Sequence, residues 1–129
     1  RTLVGYFRAI AGPAPIYAIP TTAGTGSEVT VAAVISDPDA GRKLVIADTR
    51  IVPQIAALDP ELMAGLPQPI TAATGMDALT HAIEAYISGW AIAESDRLAE
   101  TAVRAIFEHL PVACNDGGNL LARERMALA

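Results

Sequence analysis

Hydrophobic and polar positions change their period along this chain, and the change falls near Gly65. Before that point apolar residues come in short runs bounded by turn formers, the pattern of strands. Pro15-Ile16-Tyr17-Ala18-Ile19-Pro20 is an apolar run between prolines and predicts a buried strand. Val29-Thr30-Val31-Ala32-Ala33-Val34-Ile35-Ser36 is rich in β-branched residues. Asp37-Pro38-Asp39-Ala40-Gly41 is a turn cluster, and Lys43-Leu44-Val45-Ile46-Ala47 reads as the returning strand of a hairpin. Ile55-Ala56-Ala57-Leu58 is a further strand candidate. Asp59-Pro60-Glu61 opens a short helix, with Asp59 as cap and Pro60 in the first helical position, and Gly65 stops it.

After Gly65 the apolar spacing lengthens to that of helices. Pro67 and Pro69 mark the start of one that runs to about Ser88, with Gly75 placed to bend it. A second helix covers 95–112, burying Leu98, Ala102, Ile106 and Leu110 and turning Arg97, Glu100, Arg104 and Glu108 outward. Asn115-Asp116-Gly117-Gly118 is a loop, and a third helix begins near Leu120. No internal repeat interrupts this order. The predicted fold is an α/β N-terminal part carrying a β-hairpin, followed by an all-α part.

Composition refines the picture in three respects. With 129 residues, 52% hydrophobic and 18% charged, the chain folds around a core. Its apolar fraction is high for so small a domain, so apolar surface is expected that another domain, subunit or further chain covers. The net charge of −5 without a basic stripe argues against nucleic acid as a partner. Cys114 is the sole cysteine, which excludes an internal disulfide and a Cys-x-x-Cys site and fits a reducing cytoplasm; it reads as a small buried apolar residue. No apolar run is long enough to span a membrane. Arg1-Thr2-Leu3-Val4-Gly5 lacks a signal-peptide layout, and both ends read as cuts through a longer protein.

Chemistry concentrates on the helix over 76–88. At about 100° per residue, Asp77, His81, Glu84 and Ser88 fall in one narrow stripe, and nearly every other residue is apolar. A helix apolar almost all round is normally buried, so this stripe is expected to be buried or to line a cavity. A carboxylate there costs several kcal/mol unless it is paired or protonated. Asp77 and His81, at i and i+4, can share a cation, and an oxygen-plus-nitrogen donor set suits Fe²⁺ or Zn²⁺. The alternative is a hydrogen-bonded pair on the helix surface. Glu84 either orients His81 or pairs with an arginine. His109 reads as a partly exposed helix histidine, and Trp90 as a packing residue.

The loop Pro20-Thr21-Thr22-Ala23-Gly24-Thr25-Gly26-Ser27-Glu28 lies between two strand candidates. Its small residues let a ligand approach the backbone, and its hydroxyls can meet phosphate or amide groups. Val29 stands where a third glycine would complete Gly-x-Gly-x-x-Gly, and a strand pattern follows, so this is not the Rossmann fingerprint.

The segment from Pro20 through Thr30 resembles the signature loop of the iron-containing (group III) alcohol dehydrogenases. Ala73-Thr74-Gly75-Met76-Asp77-Ala78-Leu79-Thr80-His81-Ala82-Ile83-Glu84-Ala85-Tyr86 is similar to the same family's second signature. Leu58-Asp59-Pro60-Glu61-Leu62 and Gly41-Arg42-Lys43 match as well, in the same order. The resemblance implies a central fragment of a two-domain, dehydroquinate-synthase-like enzyme. Residues 1–65 would end the α/β dinucleotide-binding domain, and 66–129 would form the first helices of an all-helical metal-binding domain. It further implies that Thr21, Thr22, Thr25, Thr30 and Lys43 lie at NAD or NADP, and that Asp77 and His81 bind Fe²⁺, with Zn²⁺ as the other candidate. The metal polarises the oxygen of a small primary alcohol or aldehyde while hydride passes to or from nicotinamide. A cytoplasmic homo-oligomer is expected. The family's Gly-Gly-Gly-Ser turn, two further metal-binding histidines and downstream catalytic histidine are absent from these 129 residues. The isolated chain is therefore expected to be inactive, and a structural or binding role is the competing reading.

Overall fold

The computed structural model describes residues 14–129. The reading of the first five residues therefore lies outside the described part. The chain divides into two compact units. One runs through Ile19 and resumes over Ser27–Ala57; the other combines Pro20–Gly26 with Leu58–Ala129.

In the first unit, β1 (Tyr17–Ala18) pairs in parallel with β4 (Ile55–Ala56), Tyr17 opposite Ile55. Both predicted strands shrink to two residues. The bracketing prolines lack the N–H that a longer ladder needs. Tyr17 and Ile19 are exposed rather than buried, because this sheet has only two strands among the described residues. The hairpin forms as expected, with β2 (Ala32–Asp37) antiparallel to β3 (Arg42–Ala47) and Val34 opposite Val45. Its turn is held by the Ala40 N–H donating to Asp37 Oδ1 at 3.1 Å and by an Arg42–Asp37 ion pair at 3.3 Å. β2 begins at Ala32 rather than Val29. The Thr30 hydroxyl oxygen accepts the Ala32 N–H at 3.3 Å, a local bond that competes with the ladder. In the single 3₁₀ turn Thr49–Ile51, hydrogen bonds from the Arg50 side chain and backbone hold the Asp48 carboxyl down at about 2.

The second unit holds the helices. Asp59 Oδ1 accepts the Glu61 N–H at 3.0 Å, so the predicted cap chemistry holds, and α1 (Glu61–Ala64) starts one residue later than expected. α2 (Gln68–Ile87) matches its predicted span. α3 (Ala93–Asn115) starts before Ser95, because Ser95 sits inside the first turn and its hydroxyl oxygen accepts the Ile92 N–H at 2.9 Å. It also runs on through Pro111, past the expected end at Val112. α4 (Leu120–Leu128) begins where Asn119 Oδ1 accepts the Ala122 N–H at 3.0 Å.

α3 packs on both α2 and α4, around a core of Ala78, Ile106, Ala113, Ala122 and Met126. One expected core residue is displaced. Leu98 is 54% exposed, and Ala99 is buried in its place. A row at constant i+4 spacing drifts about 40° per step around a helix of 3.6 residues per turn. The buried row therefore mixes steps of three and four, through Ala99, Ala102, Ile106, Leu110 and Ala113. α2 runs unbroken through Gly75. The glycine is buried, and its missing side chain leaves room for Leu110 of α3.

Sequence reading missed a buried cation. Arg123 on α4 is 3% exposed. Its guanidinium donates to Thr71 Oγ1 at 2.7 Å, to the Gly117 carbonyl at 3.0 Å and to the Leu66 carbonyl at 3.2 Å. These bonds tie α4 to the start of α2 through the planar fork that only arginine offers. Losing a hydrogen bond to a charged group costs roughly 1.5–3 kcal/mol, and orphaned buried acceptors add to this. Arg123→Met is therefore expected to destabilise the protein by about 3 kcal/mol. In urea titrations the unfolding midpoint falls with the slope unchanged, and Arg123→Lys recovers less than half of the loss.

Candidate metal and dinucleotide site

Asp77 and His81 project from successive turns of α2. Asp77 Oδ1 lies 3.9 Å from His81 Nε2, and the side chains are 49% and 56% exposed. That separation is too long for a hydrogen bond. Neither side chain has a hydrogen-bond partner among the described residues, so the oxygen and nitrogen donors stand beside each other with their lone pairs uncommitted. Among the described residues this stripe is exposed, not buried. The helix buries only Thr71, Gly75, Ala78 and Ala82, while Met76, Ile83, Tyr86 and Ile87 are exposed along with the polar stripe. The described helices cover one flank of α2 and leave the others open. Glu84 is exposed and meets neither His81 nor an arginine among the described residues.

The donor pair suits a first-row divalent cation, one hard oxygen and one imidazole nitrogen from a rigid element. Two donors are half of the four that a tetrahedral ion takes. Among the described residues no group of three or more His, Cys, Asp and Glu side chains could hold a metal ion. His109 is half-buried on α3, with Nε2 3.9 Å from Glu108 Oε2. Trp90, expected to pack at the helix end, is 95% exposed instead, in the turn between α2 and α3. Cys114 is half-buried. A groove lined by Ile83, Tyr86, Ala99, Glu100, Val103 and Arg104 lies on a different flank of α2 from the Asp77–His81 stripe.

The threonine–glycine loop belongs to the helical unit, although its sequence neighbours are strands. Ala23 packs against the helical core. Gly24 has φ +128°, a conformation that L side chains rarely adopt. A Cβ on Gly24 would overlap the Thr74 carbonyl oxygen and lie 2.5 Å from the Thr74 carbonyl carbon. The loop is thus seated directly on α2 backbone. Thr74, Asp77 and His81 stand at i, i+3 and i+7, which places the seat and the donor pair on one helix face. Thr21 and Thr25 are exposed on this loop, and Thr22 is half-buried. Thr30 and Lys43 belong to the first unit. The Thr30 hydroxyl oxygen accepts a backbone N–H, and Lys43 is exposed on β3 opposite Ser36. No helix among the described residues is long and apolar enough to cross a membrane.

Comparison with known proteins fits this arrangement. Residues 2–60 match the model of the iron-containing alcohol dehydrogenases, and residues 71–129 match that of the C-terminal part of the Fe-containing alcohol dehydrogenase family. The chain is 53% identical over 109 residues to 1-propanol dehydrogenase PduQ of Citrobacter freundii, covering 84% of this chain and 30% of that protein. It is 50% identical over 115 residues to the NAD-dependent methanol dehydrogenase of Bacillus methanolicus, covering 89% of this chain and 30% of the relative. Among solved structures, sulfoacetaldehyde reductase from Bifidobacterium kashiwanohense in complex with NAD⁺ superposes with a TM-score of 0.83 at 43% identity, over 88% of this chain and 30% of that one. A 1,3-propanediol oxidoreductase superposes with a TM-score of 0.85 at 49% identity, over 91% of this chain and 31% of that one. The chain spans about 30% of the length of these relatives. With both of its halves matched to models of one family, the chain belongs to the iron-containing alcohol dehydrogenases.

Proposed function

We propose that this chain carries half of the metal site and part of the dinucleotide site of an NAD(P)-linked alcohol dehydrogenase acting on small primary alcohols or aldehydes. The observation that carries the reading is the seating of the hydroxyl-rich loop on the same face of α2 as Asp77 and His81. A reaction that removes hydride from an alcohol carbon needs a polarised oxygen and a hydride acceptor side by side.

Asp77 Oδ1 and His81 Nε2 would hold Fe²⁺, with Zn²⁺ as the alternative, and such an ion supplies Lewis-acid polarisation of the substrate oxygen. The rigid helix fixes the two donors relative to each other. Thr21, Thr22 and Thr25 would present hydroxyls to the dinucleotide, and the family resemblance gives Thr30 and Lys43 a place at the cofactor as well. A bound nicotinamide would supply the acceptor for the hydride of the carbinol carbon, and the hydroxyl proton would be lost to solvent. In this reading 1–65 completes the dinucleotide-binding domain and 66–129 begins the metal-binding one. The reducing cytoplasm suits both Fe²⁺ and the single thiol.

The test is NAD(P)⁺-dependent oxidation of short primary alcohols by the whole protein. Activity is expected to vanish on chelation and return with added Fe²⁺. Undiminished turnover after the metal has been stripped would overturn the reading.

A further inference from the structure

We infer that the loop over residues 20–26 couples the two ligand sites, so that a dinucleotide on its hydroxyls and a cation at Asp77 and His81 tighten each other's binding. The inference rests on the proposed function and concerns how the two halves of that site communicate.

Three observations carry it. The loop partitions with the helices and apart from the strands that precede and follow it. It is anchored at adjacent residues by different means: Ala23 packs against the core that includes Ala78, and Gly24 lies against the Thr74 carbonyl. The α2 residue it meets, Thr74, stands three residues before Asp77, one turn away on the same helix.

A ligand that orders the loop therefore also orders the α2 turn from which Asp77 projects, and an ion that fixes Asp77 and His81 fixes the floor on which the loop sits. Each ligand meets part of the ordering cost of the other, which gives positive linkage without any large structural change. Linkage of this kind is reciprocal, and couplings between sites are typically 5-fold or more in affinity. The exposed threonines on either side of the seat, Thr21 and Thr25, place the ligand-facing groups within two or three residues of the anchor.

The experiment is calorimetric titration of the metal-free whole protein with Zn²⁺ alone, with NAD⁺ and NADP⁺ in parallel, and with each ligand in the presence of the other. Dinucleotide is expected to tighten Zn²⁺ by about 5-fold or more, and Zn²⁺ to tighten dinucleotide by the same factor. Ala23→Gly removes a methyl from the anchor while leaving the Gly24 backbone free to fold. It is expected to bring the coupling factor toward one with little change in affinity for Zn²⁺ alone. Hydrogen exchange supplies a second readout. Dinucleotide without metal is expected to slow exchange in 71–81 as well as in 20–26. Independent affinities, or protection confined to the loop, would overturn the coupling and leave the dehydrogenase reading standing. Zn²⁺ binding that persists unchanged in Asp77→Ala/His81→Ala would overturn both.

Discussion

Asp77→Ala and His81→Ala are each expected to lower dehydrogenase activity of the whole protein by about a thousandfold. Metal polarisation of a substrate oxygen contributes several kcal/mol, and each 1.36 kcal/mol is a factor of ten in rate. Removing either donor leaves the site short of a ligand, and among the described residues no group of three or more metal-binding side chains is present to take its place. Stability responds in the opposite sense. Both side chains are about half exposed and make no hydrogen bond among the described residues, so either substitution should shift unfolding by no more than about 0.5 kcal/mol. Steady-state kinetics and urea unfolding on the same variants separate the two effects. A variant that loses stability and activity together would place Asp77 and His81 in a structural seam instead.

The second large effect is on folding. Gly24→Ala must relieve a collision with the backbone carbonyl of Thr74 in the middle of α2, and its φ of +128° is strained for any L side chain. Backbone strain of this kind costs about 1–3 kcal/mol and overpacking a further 1–3. A loss of about 4 kcal/mol is expected, with thermal unfolding as the measurement. Gly75→Ala is the instructive contrast. There the added Cβ meets the tip of the Leu110 side chain, which can change rotamer or be shortened. It is expected to cost about 1–2 kcal/mol, and Leu110→Ala in the same chain should recover part of that. Equal losses at the two glycines would contradict the loop's seat on helix backbone.

The elements were legible because their signals are local. The β-branched hairpin, the Asp59 cap and the helix from Pro67 to about Ser88 follow from residues within a turn or two of each other. What failed was non-local. Leu98 and Ala99 differ by one position on a helix face, and only packing against α2 decides which is buried. Arg123 looks like any surface arginine in sequence, because its partners lie up to 57 residues away. Nothing local to Gly75 shows that Leu110, 35 residues on, packs against it. Trp90 looks like a packing residue, yet the described residues bring nothing to it.

The candidate site divides in the same manner. Asp77 and His81 stand out by helical spacing, which is local. Their exposure was not legible, because whether an apolar helix is covered depends on what packs around it. The loop was recognisable by composition and by its resemblance to the family's signature. Its seat on Thr74, about fifty residues away in sequence, was invisible until the two segments came together. The only sequence sign was Gly24 itself, a residue whose conformation and close contact both exclude a side chain.

The central claim is that Asp77 and His81 hold a metal ion. The most direct measurement is the transition-metal content of the purified whole protein by elemental mass spectrometry, alongside Asp77→Ala/His81→Ala prepared identically. About one equivalent of iron or zinc per chain is expected in the wild type, with two of about four ligands in this segment, and almost none in the variant. Equal metal content in the two proteins, with the variant folded, would contradict it.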